Sequence, residues 1–597
     1  MKIQFTARVC AAAIATATLA AMPGVETAAL AEHHEEAAPS AAKEALYELF
    51  ASSEAAALKR NPFGAFFRGD FTDADKLGDY SPASYQAERA AAEEALAALH
   101  AIDRDALSEI DQIAYDTFEY NQQRTLAATE GEVYKTLLAL PVDHFRGFHI
   151  FYPRLSAPGA LMPFDTPQDY ANNVSRHTEA AKIIDQSIAR FRNGAAEGIT
   201  LPRVSVEIMI QQLDTQLGAA ADNNPYLAPL GAIPNSFTEE EAATARTELT
   251  EAVSGTLFPA MQRLRDYLAD EYLPQARESI AATDNPGGEA FYGYRITEMT
   301  TLDLTADEIH EIGLAEVARI NEALAQAREE AGDRTPVTYT TKADLQAAWY
   351  EVAEKVDPLM DQLFLNIPET PLRIEPYEPY REEFNLAASY FPGKADGSRP
   401  GTFYFSGYNV AERELGTSVA LYMHEGNPGH HFENMLGIEN EELPDFIKYG
   451  GFTAFSEGWG LYAEHLGYEL GLYDDPLDRI GALAGGELLR AVRLVVDTGM
   501  HAKGWTREEA VEYMVANGQP RDFAMSETAR YIVMPAQALA YKLGELKIKE
   551  LRGEAEEALG DDFDVRVYHD QVLGSGNIPL PVLERKIEAW IASEAGE

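Results

Sequence analysis

Two histidines, an adjoining glutamate and a distant glutamate have the types and spacing to do chemistry. The segment LGTSVALYMHEGNPGHHFEN, residues 415–434, holds His424-Glu425 and then Gly429-His430-His431. Glu457 follows 33 residues after His424, within FTAFSEGWGLYAEHLG. Two imidazoles and a carboxylate form a catalytic zinc set that leaves a fourth position for water. Zinc lowers the pKa of that water to roughly 7, and a carboxylate beside the first ligand can take its proton. Glu425 occupies that place. Glu433, Glu464 and Glu469 are nearby acids, but Glu457 sits among Phe455, Gly458 and Trp459, where a carboxylate needs a partner.

The spacing departs from H-E-x-x-H, in which the two histidines share a helical face. Six residues from His424 to His430 turn about 600°, close to the opposite side of an ideal helix. Seven bring His431 back to the same face, but roughly 10.5 Å along the axis. Neither works in an unbroken helix. Pro428 removes a backbone donor and Gly429 admits unusual dihedrals, so a distorted helix with a bulge is expected. His430 is the preferred second ligand, with His431 as the alternative.

The surrounding pattern is helical. Apolar residues recur at three-to-four spacing over 84–100, 166–193, 202–221, 238–282, 305–332 and 342–364. Thr305 followed by Glu308 has the capping-box form. Alternation with period two is clearest at Leu372–Pro376 and Gly401–Phe405. The expected class is mainly α with a small β-sheet. The segment Arg399–Phe405 reads as an edge strand able to bind a peptide backbone. A turn-forming cluster at 284–288 suggests a helical half over 44–285 and a second half over 286–597. Five of the 13 histidines fall between His424 and His501 in that second half.

The first 31 residues have signal-peptide form. Lys2 and Arg8 precede the uncharged stretch Val9–Met22, and Ala29-Leu30-Ala31 has the small-x-small pattern of a cleavage site. Arg8 argues against lipid attachment at Cys10, the one cysteine of the chain. The mature protein then has no disulfide and no thiol chemistry. Residues 32–43 read as a flexible leader, and the protein is expected to be periplasmic or secreted, without membrane insertion. Lys plus Arg number 48 against 97 Asp plus Glu, a net charge of −49. Such a surface repels phosphate backbones and excludes nucleic acid as a partner.

HEGNPGHH, FSEGWGLYAEHLG, ELLRAVRLVVDTGMHAKGW and ARYIVMPAQALAYKLGELKI together resemble the bacterial domain-of-unknown-function 885 family, grouped with gluzincin-type zinc metallopeptidases. The likeness is densest over Ser406–Ile548. It implies a two-lobed helical metallopeptidase-like fold with its sheet near an active-site cleft. One zinc ion would be held there by His424, His430 and Glu457, and short peptides would be the substrates. Helical gluzincins steady the oxyanion with a downstream His or Tyr, a role that points here to His501 and Tyr531, with Arg530 and Tyr541 binding substrate. Arg493 and Asp497, eight and four residues before His501, fall on its helical face. Glu464 or His465, two turns beyond Glu457, are candidates to orient the ligands.

The rival readings are a zinc hydrolase of other amides or esters, a peptide-binding protein without hydrolysis, and a metal-free helical scaffold. Glu425 argues against the binder, which has no use for a base. The chain has no G-x-S-x-G elbow, no phosphate loop and no G-x-G-x-x-G fingerprint.

Overall fold

Four helices begin on one local device. The side chains of Thr166, Thr238, Thr305 and Thr506 each accept a bond from the backbone three residues on, and the carboxylates of Asp169, Glu241, Glu308 and Glu509 accept one from the threonine backbone N–H. Each such cap satisfies two donors that a helix start leaves open and contributes about 1 kcal/mol. In the computed structural model, residues 40–159, 161–219, 224–377, 382 and 388–596 are described. The expected signal segment and most of the leader lie outside them. Residues 41–43, read as leader, instead form the first turn of the helix Ala41–Arg60.

Helices dominate, as the periodicity indicates. The long run 238–282 is divided into Glu239–Ala252 and Phe258–Asp266, joined by a π-turn at Val253–Leu257 and followed by another at Tyr267–Tyr272. The run 342–364 is helical to Val356 and then tightens to a 3-10 turn at Asp357–Gln362. Among the described residues no helix is long and apolar enough to cross a membrane.

The described residues from Ala41 onward form one compact unit. A core in its first part gathers Tyr152, Phe191, Met209, Leu257 and Tyr272, and another in its second part gathers Met423, Phe432, Trp459, Tyr462 and Ile548. Full burial of Trp459 removes on the order of 200 Å² from water, worth about 5 kcal/mol. The cluster at 284–288 is packed: a Cβ on Gly288 would lie 2.2 Å from the Ala282 carbonyl oxygen. Just before it, the Ala282 N–H donates to His501 Nδ1 at 3.0 Å.

Three strands form the sheet: β1 (Leu372–Pro376), β2 (Ser389–Phe391) and β3 (Gly401–Phe405), in the order β1-β3-β2. β3 runs parallel to β1 and antiparallel to β2. The segment expected at an edge is therefore the central strand. Both its sides are paired, and it has no free ladder for a peptide. Phe403 and Phe405 turn inward onto Trp349, which fixes its register.

Two helix contacts prepare the site. Thr453–Leu466 carries Glu457, and Ala540–Leu559 carries Tyr541. They meet backbone to backbone at Gly458 and Gly544, where a Cβ on Gly544 would lie 1.9 Å from the Ala454 carbonyl oxygen. No side chain other than hydrogen fits between them.

Candidate metal centre

His424 lies in the last turn of the helix Val419–Glu425, and His430 begins the helix His430–Glu439. The expected bulge is a complete break. Gly426–Gly429 leaves the helix, with a cis bond between Asn427 and Pro428. The loop folds so tightly that a Cβ on Gly429 would lie 2.0 Å from the His424 carbonyl oxygen. Trp459 Nε1 holds it by donating to the Pro428 carbonyl at 2.8 Å. The two imidazoles thereby come face to edge, with ring centres 4.8 Å apart.

Glu457 completes the group. Its Oε2 lies 3.5 Å from His424 Nε2 and 3.6 Å from His430 Nε2. One ligand atom from each of the three residues lies within 4.8 Å of the others. Donors placed tetrahedrally about 2.1 Å from a cation lie about 3.4 Å apart. His424 Nδ1 is turned to Glu464 Oε1 at 2.8 Å, and His430 Nδ1 faces Glu433 Oε2 at 3.6 Å and Ser456 Oγ at 3.4 Å. Protons held on the Nδ1 atoms leave both Nε2 lone pairs aimed at a carboxylate. Burial opposes charge on all three groups. Even so, the two imidazoles hold Glu457 well below the usual carboxylate range, Glu433 and Glu457 lift His430 most, and Glu457 and Glu464 lift His424. The group demands positive charge at its centre, and a divalent cation fits that demand.

The remaining expected residues separate. Glu425 is buried beside His430, and no hydrogen bond or ion pair joins its carboxylate to any described residue. His431 is turned away: its Nε2 faces the Thr370 carbonyl at 3.0 Å and its Nδ1 the Tyr390 hydroxyl at 3.0 Å. It ties the sheet to the His430 helix and has no nitrogen left for a metal. His501 is fully buried, with Nδ1 accepting from Ala282 and Nε2 meeting the Tyr531 carbonyl at 3.0 Å. Both nitrogens are occupied by backbone, so it braces the 282–288 turn and cannot face an oxyanion. Tyr531 is also committed. Its hydroxyl donates to Glu527 Oε2 at 2.5 Å and accepts from Arg493 Nε at 2.8 Å. Tyr541 lies within electrostatic reach of Glu457. Burial first, and the Glu457 charge second, raise its pKa, so it keeps its proton. Asp497 accepts from Tyr292 and Ala536 and does not share a network with Arg493.

Residues 62–587 match the family model described as bacterial protein of unknown function, DUF885. The chain belongs to this family. A solved structure of a candidate lipoprotein from Colwellia psychrerythraea is 26% identical, with a TM-score of 0.84, covering 92% of this chain and 99% of that one. A candidate lipoprotein of unknown function from Shewanella oneidensis is 17% identical, with a TM-score of 0.67, covering 90% of this chain and 99% of that one. It shares the fold. Comparison with curated proteins gives no match.

Within this DUF885 chain, several supporting groups escape a reading of motifs alone. Glu433 is fixed by Ser456 Oγ at 2.8 Å and Asn577 Nδ2 at 2.8 Å, the latter from 144 residues away. Gly460 makes room for the His424 ring. Of the two candidates beyond Glu457, Glu464 orients His424, while the His465 ring packs on Tyr468. The Glu457–Glu464 spacing of seven was the available signal, because it repeats a helical face.

Proposed function

We propose that this protein is an exported zinc-dependent hydrolase of peptide bonds. The observation that carries the reading is the Glu425 carboxylate, which lies buried beside three converged metal donors with no hydrogen bond or ion pair to any described residue. Zinc held by His424, His430 and Glu457 would supply an acidified water and polarise the scissile carbonyl. The Glu425 carboxylate takes the proton of the attacking water and returns it to the leaving amine. The protonated Tyr541 hydroxyl donates to the developing oxyanion. Glu464 fixes the tautomer of His424, and Glu433 with Ser456 does the same for His430. The choice of peptides over other amides is supported by the resemblance of the HEGNPGHH and FSEGWGLYAEHLG segments to the DUF885 family, which is grouped with gluzincin peptidases. Export is supported by the charged start, the apolar stretch and the small-x-small site, and by the candidate-lipoprotein neighbours.

The direct test is elemental analysis of the mature protein together with digestion of a mixed short-peptide library. One zinc per chain with chelator-sensitive cleavage is the expected result. One zinc without cleavage of any peptide would move the assignment to another amide or ester. Absence of zinc after resupply would end it.

A further inference from the structure

Beside Tyr541 lies a buried cationic cluster that water activation does not use. Arg493, from the helix Leu489–Ala502, and Arg530, from the helix Arg521–Val533, share one carboxylate. Glu527 Oε2 accepts from Arg493 Nη2 at 2.9 Å, Arg530 Nη2 at 3.1 Å and the Tyr531 hydroxyl. Two guanidinium groups thus share a single hydrogen-bonding carboxylate, in a chain of net charge −49. The side chains of Arg493 and Arg530 are only 7% and 16% exposed. Arg493 Nη1 and Arg530 Nε are buried without a hydrogen-bond partner among the described residues. Buried guanidinium donors are ordinarily paired, so an excess here points to an acceptor that arrives from outside.

The location identifies that acceptor. The Arg493 guanidinium carbon is 4.7 Å from the centre of the Tyr541 ring. Tyr541 stands one turn before Gly544, whose backbone rests on Gly458, the residue after Glu457. Tyr541 lies within electrostatic reach of Glu457, Arg493 and Arg530, and so links the cluster to the metal group. Planar forks of N–H donors match a carboxylate in shape and charge.

We propose that Arg530, backed by Arg493, receives a substrate carboxylate close to the scissile bond, making the enzyme selective for short peptides with a negative charge there. This rests on the hydrolase reading above. The free C-terminus of a short peptide and an acidic side chain both supply the carboxylate. Glu527 sets the fork by binding the Nη2 edge of Arg530, and Arg493 holds Tyr541 and Tyr531 from behind.

The test uses zinc-loaded full-length enzyme and matched peptides with a free or an amidated C-terminus, each with a neutral or an acidic side chain. Peptides whose carboxylate is the one recognised should be cleaved at least 100-fold better in kcat/KM than the peptide lacking any carboxylate. Arg530→Gln should raise KM for them at least tenfold more than for the uncharged peptide, with zinc content and fold retained, and Arg530→Lys should recover part of the loss. Rescue of the amide by an acidic side chain would assign the side chain as source, and lack of rescue would assign the terminus. Equal cleavage of all four peptides by the unmodified enzyme, or an equal loss on all four in Arg530→Gln, would overturn the proposal. If no peptide is cleaved, calorimetry with the same four peptides gives a separate readout. Preferential binding of carboxylate forms, lost in Arg530→Gln, would uphold the receptor while the hydrolase reading fell. Indifference to the carboxylate would sink both.

Discussion

The His424 ring rests on Gly460, where an added Cβ would lie 2.7 Å from its Cε1 and 2.9 Å from its Nδ1. On the same helix Glu457 lies three residues before that glycine and Glu464 four after. One carboxylate meets each nitrogen of the ring, and the glycine lets the ring lie between them. Gly460→Ala should therefore displace His424 without deleting any donor. We expect zinc affinity to fall about 10- to 100-fold, as for loss of a group that orients a ligand. Competition with a chromogenic chelator would measure it, and unchanged affinity would refute the packing argument.

Chemistry and metal binding should separate at Glu425. Glu425→Gln is expected to keep one zinc per chain and to lose at least 10²-fold in kcat. Tyr541→Phe should likewise keep zinc and lower kcat by about 10² to 10³, the effect of losing one oxyanion donor. Tyr531→Phe removes a hydroxyl that Glu527 and Arg493 already use, so it should act on stability more than on kcat. A larger kcat loss in Tyr531→Phe than in Tyr541→Phe would reverse the assignment.

The adjacent histidines should respond differently. His430→Ala is expected to lose metal. His431→Ala should retain it and instead cost about 1–3 kcal/mol of stability, because the Thr370 carbonyl and the Tyr390 hydroxyl lose their shared partner. Elemental analysis and urea unfolding on both variants decide this. Equal zinc retention would show that the second ligand lies elsewhere.

Acid should weaken the fold through its buried neutral histidines. Burial pushes His149, His501 and His569 from 6.5 down to about 4. A histidine with a depressed folded pKa contributes stability that is intact above 6.5 and lost as pH falls towards 4. Each contributes about 1.4 kcal/mol of loss per pH unit across that window. His501→Asn can preserve one acceptor and one donor without the titration. Its urea midpoint should fall less steeply between pH 7 and 5 than that of the unmodified protein at the same metal content. Parallel curves would contradict the neutral state of His501.

The helical class, both longer strands and the donors His424, His430 and Glu457 as one converging group were legible because each rests on local rules. Period, a Pro-Gly break and a carboxylate in an apolar setting are all visible in short windows. The downstream residues were not. His501, Tyr531 and Tyr541 are each polar residues on helices, and their difference lies in partners supplied from elsewhere. Ala282 and the Tyr531 carbonyl occupy His501, Arg493 and Glu527 occupy Tyr531, and the Gly458–Gly544 contact brings Tyr541 to the metal group. The strand Gly401–Phe405 reads as an edge from sequence because β2 is only three residues long and too short to show alternation.

The glycine contact between the Glu457 and Tyr541 helices also bears on mutational tolerance. A saturation scan scored on activity would rank Gly458 and Gly544 beside the histidines, although neither touches a reacting atom. A ranking built on such scores alone would mistake two spacers for participants in the reaction. Measuring zinc content and folding alongside activity would separate the positions that do chemistry from those that only allow two backbones to meet.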